Sequence, residues 1–101
     1  MKHNKLVRDR IPEIIVKAGK TSTTHIAGKQ EYRDKLKQKL QEEVDEFFES
    51  ESKEELADIL EVIYALADLK KINRQDLESL RLKAAKLRGG YKKKIILDEV
   101  K

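Results

Sequence analysis

KLQEEVDEFFESESKEELADIL, residues 39–60, is the stretch around which the rest of the chain is arranged. Within it Glu43 is followed three residues later by Glu46, and Glu55 by Asp58. Residues three apart share a helix face, so each half of the stretch offers two carboxylates on one side of a helix. On a wheel of about 100° per residue, Leu36, Leu40, Val44 and Phe47 form the apolar stripe of the first helix. Glu43 lies about 60° from its centre and Glu46 about 120°. On the second helix Leu56, Ile59, Ile63 and Leu66 form the stripe. Glu55 falls inside it and Asp58 at its edge, while Glu54, Glu61 and Asp68 point away. Acids beside a core are costly unless something cationic compensates them.

The flanking sequence predicts the rest of an all-α fold of four helices, one domain over residues 1–101. The helix carrying the first pair should run from about Gln30 to Glu49, burying Tyr32, Leu36, Leu40, Val44, Phe47 and Phe48. Ser50-Glu51-Ser52 is a short turn, and Ser52-Lys-Glu-Glu55 has capping-box spacing, so Ser52 starts a helix that reaches about Lys71. Asn73 can cap a fourth helix from Arg74 to Arg88, with Leu77, Leu80, Ala84 and Leu87 inward and Gly89-Gly90 ending it. Upstream, Asp9 can cap a first helix with Pro12 in its first turn. Ile11, Ile14, Ile15 and Ala18 are its apolar side, and Gly19 stops it. Residues 20–28 read as loop or a short extended piece. Ile95-Ile96-Leu97 is expected to pack back, as a short terminal strand.

With 39% hydrophobic and 42% charged residues, the composition suits thin helices with wide solvated faces and an oligomer that completes the core. No Cys is present, which excludes a disulfide framework and Cys-ligated metal and fits a reducing cytoplasm. The longest apolar run, Val62 to Ala67, is too short to span a membrane. The start, Met-Lys-His-Asn-Lys, has no apolar signal-peptide region. The net charge of +4 hides an asymmetry: residues 41–61 carry −9 and the remainder +13. Acids at the centre would repel nucleic-acid phosphates. The same layout suits a metal ion joined to a polyphosphate.

Two acid pairs on helices joined by a short turn converge on one point. Such a carboxylate set suits a hard cation, Mg²⁺ first and Mn²⁺ as a substitute, and Mg²⁺ readily bridges to phosphates. The bland alternatives are that Glu55 is only the last residue of a capping box, and that Glu42, Asp45 and Glu46 form a solvated face paired with Lys39. Lys5, Arg8 and Arg10 before the first helix, and Arg88, Lys92, Lys93 and Lys94 around Gly89-Gly90, can grip phosphate or simply solubilise the chain. His3 and His25 lack a metal-ligand partner at helical spacing and read as surface histidines.

Glu42-Glu43-Val44-Asp45-Glu46 followed by Glu55-Leu56-Ala57-Asp58 resembles the EExxE…ExxD signature of the MazG-like all-α nucleoside triphosphate pyrophosphohydrolases, which include phosphoribosyl-ATP pyrophosphohydrolase. Asn4-Lys5-Leu6-Val7-Arg8-Asp9-Arg10-Ile11-Pro12 resembles the KLVRDKIP opening of one subgroup, and Arg88-Gly89-Gly90-Tyr91 with the Ile-Ile-Leu tail resembles its ending. The eight residues between Glu46 and Glu55 are fewer than that family's usual spacer. The resemblance implies Mg²⁺ held by Glu43, Glu46, Glu55 and Asp58, and Glu42 as an outer acid or a base acting on water. It implies hydrolysis of a nucleoside triphosphate between the α and β phosphates. Lys5, Arg8, Arg88 and Lys92 would face the phosphates, in a homodimer or homotetramer. A non-catalytic helical module that binds a nucleotide or protein is the alternative. A nucleic-acid binder is the third reading, suggested by the basic ends.

Overall fold

A computed structural model describes residues 4–101; His3, read above as a surface histidine, lies outside the described residues. Four helices follow in order: α1 (Ile11–Lys17), α2 (Lys29–Ser50), α3 (Lys53–Leu69) and α4 (Arg74–Arg88). No strand is present among the described residues. The all-α fold of four helices is therefore as the periodicity predicts. The expected terminal strand is absent among the described residues, and Ile95, Ile96 and Leu97 stand exposed.

The caps explain most boundaries. The Ser52 hydroxyl accepts from Glu55 N–H and starts α3, and the Asn73 side chain accepts from Asp76 N–H and starts α4. Glu51, between α2 and α3, adopts a left-handed conformation at φ 52° and donates its N–H to Phe47 C=O. The chain reverses there within two residues. Gly19, at φ +81°, follows the end of α1, where a residue with a Cβ would be strained. Asp9 is not the cap of α1. Arg10 holds that position without a side-chain cap bond, because Asp9 sits one residue too early in the preceding turn.

α2 packs along α3, whereas α4 meets only α3, and sparsely. The buried apolar residues are Leu36, Val62 and Ala67. On α3 Val62 is buried, whereas Leu56 of the predicted stripe is exposed. The apolar arc of α3 is wider than one neighbour can cover, so Leu56 and Leu60 face out. The same thin packing exposes Phe48, Leu80 and Leu87, all expected inside. No helix among the described residues is long and apolar enough to cross a membrane.

Candidate metal centre

The paired α2 and α3 bring their acids together. One ligand oxygen from each of Glu43, Glu55 and Asp58 lies within 4.8 Å of the others. Glu42, Glu43 and Glu46 form a second such group on α2 alone. Glu43 belongs to both, and it is the only buried charged residue among those described, at 7% exposure. The four residues expected as ligands, together with Glu42, thus fall into two overlapping triads that share Glu43. Glu46 stands at the exposed rim.

Glu55 reaches this point through a capping arrangement of which only half forms. Ser52 Oγ accepts from Glu55 N–H at 3.3 Å, as a capping box requires. The Glu55 carboxylate does not reach back to Ser52 N–H; Ser50 Oγ accepts that proton at 3.2 Å. The backbone of Glu55 therefore starts α3 while its carboxylate is free to face α2. The reading of Glu55 as a cap alone is set aside by this geometry.

Cations ring the acids. Lys39 lies 3.4 Å from Glu43 Oε1 and 3.6 Å from Glu42 Oε2. Lys5 lies 3.6 Å from Glu42 Oε1, and Arg8 Nη2 donates to Asp58 Oδ1 at 2.8 Å. The bland alternative gives Lys39 only a solvated face, yet its side chain is 20% exposed and touches the buried Glu43. Its position three and four residues before Glu42 and Glu43 was the available signal. Arg88 and Lys92 are exposed and make no ion pair or side-chain hydrogen bond among the described residues. The N-terminal cations thus join the acids and the C-terminal ones do not. His25 pairs with Glu31 at 3.0 Å, away from these acids.

With all five carboxylates ionised against three cations, a surplus of two negative charges remains. The surplus is visible in Glu55, whose pKa is pushed up to about 7. The neighbouring Glu43 carboxylate contributes most, because it would accept a hydrogen bond from Glu55 once that carboxyl is protonated; burial follows, then the charges of Glu43, Glu46 and Asp58. Glu43 Oε2 and Glu55 Oε2 are both buried without a hydrogen-bond donor. An orphaned buried carboxylate oxygen is costly. An all-oxygen donor set with two such atoms and a charge deficit of two fits a hard divalent cation.

No family model matches the chain, and no curated protein or solved structure matches it either.

Proposed function

We propose that the chain is a Mg²⁺-dependent nucleoside triphosphate pyrophosphohydrolase. Water adds to the α phosphorus, the bond from that phosphorus to the α–β bridging oxygen breaks, and the products are a nucleoside monophosphate and pyrophosphate. The observation that carries the reading is the convergence of Glu43, Glu55 and Asp58 across two helices, with two buried oxygens that no donor meets. Buried carboxylate oxygens ordinarily meet a donor, and these two do not.

In this reading Glu43, Glu55 and Asp58, with Glu46 at the rim, hold the cation, and Mn²⁺ can substitute. When bound, the cation supplies charge neutralisation for phosphate oxygens and acidification of water. Glu42, half-exposed beside the buried Glu43, accepts a proton from water in this reading. It pairs with Lys5 and Lys39. Lys5 and Arg8 lie at the acids' edge, where they can meet phosphate oxygens and offset charge on the departing pyrophosphate. Arg88 and Lys92 would join them only through a rearrangement of the tail or a second subunit. A cytoplasmic homodimer or homotetramer completes the reading, which also accords with the MazG-like resemblance.

Pyrophosphate release from a panel of ribo- and deoxyribonucleoside triphosphates, with Mg²⁺ and with chelator, tests it. Release should depend on Mg²⁺. Glu43→Gln and Asp58→Asn should each lower turnover at least about a hundredfold while the helical circular dichroism persists. Full activity in both variants would remove the site. The alternative, a non-catalytic helical binding module, draws support from Lys5, Arg8 and Lys39, which already neutralise much of the acid cluster. It predicts no product from any triphosphate and no stabilisation by Mg²⁺.

A further inference from the structure

The segment ahead of α1 has no regular structure from Asn4 to Arg8, yet it lies against α2 and α3 through three polar tethers. Lys35 Nζ donates to Asn4 C=O at 2.8 Å. Lys5 pairs with Glu42, and Arg8 with Asp58. Two of the three tethers therefore end on acids of the candidate metal centre. The Arg8 contact is also the only side-chain hydrogen bond between this segment and α3 among the described residues.

Asp58 cannot serve Arg8 and a divalent ion equally well. Its carboxylate closes the triad with Glu43 and Glu55, within 4.8 Å, while its Oδ1 already accepts from the guanidinium. A doubly charged ion at the triad repels a guanidinium held on one of its ligands, and this costs more than repulsion between single charges. Glu43, by contrast, is held by Lys39 on its own helix through Oε1 and leaves Oε2 unmet, so its cation need not move.

Resting on the metal-site reading above, we infer that Arg8 is a displaceable counter-cation. It occupies Asp58 while the site lacks an ion and is expelled when a divalent ion enters, which frees the N-terminal segment. The expelled guanidinium then stands beside the ion with its donors unused. Loading of the ion and presentation of an oxyanion-binding group become one event.

The inference predicts that removing Arg8 strengthens ion binding, the opposite of what a residue that merely organises the site would do. Calorimetric titration of the full chain with Mn²⁺ should give Arg8→Met a Kd about two- to fivefold lower than wild type, the span that an exposed ion pair of this kind is worth. Arg8→Lys should return toward the wild-type value. By linkage, Mn²⁺ should weaken the Arg8–Asp58 contact in the wild-type chain. Tryptic cleavage after Arg8 should therefore speed up when Mn²⁺ is added. This second measurement needs no variant to fold. An Arg8→Met Kd equal to or above wild type, or cleavage that Mn²⁺ slows, would overturn the inference and leave the metal site standing. Failure of the wild-type chain to bind Mn²⁺ at all would remove both.

Discussion

Glu55 concentrates the electrostatic problem of this molecule. Its carboxyl can share a proton with the neighbouring Glu43, is half-buried and sits among three other acids, so its pKa is pushed up to about 7. In the unfolded chain it would release that proton near 4.5. A carboxyl with a higher pKa folded than unfolded favours folding most at low pH. Its contribution is lost as pH rises from 4.5 through about 7 and stays lost above. In chelator, the thermal midpoint should therefore carry a downward component across this window. Glu55→Gln, neutral throughout, should flatten it. A divalent ion takes the place of the proton, so the gain in midpoint on adding Mg²⁺ should be larger near pH 8 than near pH 5. Thermal melts of both proteins with and without Mg²⁺ measure these effects. Identical pH profiles for wild type and Glu55→Gln would show that Glu55 does not carry the strain assigned to it. The presence of this carboxylate beside the core was legible in the sequence, because helical spacing places Glu55 within the α3 stripe. Its release from capping was not, because that depends on Ser50 supplying Ser52 N–H with another acceptor.

At the scale of the helices, the short connection after α2 aligns the two acid pairs. Two residues, Glu51 and Ser52, separate the helices, and the left-handed turn at Glu51 leaves little freedom in how α3 returns. Ser52 then sets where α3 begins and so the register of Glu55 against Glu43. Ser52→Ala should cost about 1 kcal/mol of stability through the lost cap. Because Glu55 lies in the first turn of α3, the same change should loosen the site and weaken Mg²⁺ binding. Asn73→Ala removes the equivalent cap of α4, far from the acids in sequence, at a similar cost. It should leave Mg²⁺ affinity unchanged. Denaturant melts paired with calorimetry separate the two; equal effects of both variants on affinity would count against a register role for Ser52. Helix existence and the caps of α3 and α4 follow from local chemistry, which is why sequence alone located them. Which side of each helix is covered does not follow. The apolar arc of α3 spans Leu56, Ile59, Leu60, Val62 and Ile63, and only packing against the other helices decides that Val62 is inside and Leu56 outside.

On the whole-molecule scale, the chain alone hides too little. Three apolar residues are buried among those described, the accessible surface is 9622 Å² and the radius of gyration is 17.9 Å. A compact chain of this size would expose about 5,900 Å² and have a radius near 13 Å. Extended segments account for part of the excess, since Ile26, Tyr91 and Ile95 to Leu97 stand nearly free. The helices account for the rest. Leu56 and Leu60 on α3, and Leu80, Leu82 and Leu87 on α4, are each 45–77% exposed. Between these helices runs an open groove lined in part by Leu60, Ile63, Tyr64 and Leu77. An obligate dimer interface buries about 2,000 Å² or more in total, well within this surplus. A second copy is the occupant that the homo-oligomer reading supplies, and its arrival would give each chain the core it lacks. Leu60→Asp discriminates well, because an exposed residue contributes little to the lone chain and much to a buried seam. Light scattering should return a mass of two or more subunits for wild type and a smaller one for Leu60→Asp. The wild-type thermal midpoint should rise with protein concentration, as it must when folding and association are coupled. A wild-type chain that is monomeric and melts cooperatively at a midpoint independent of concentration would mean that these leucines have no partner in a second copy.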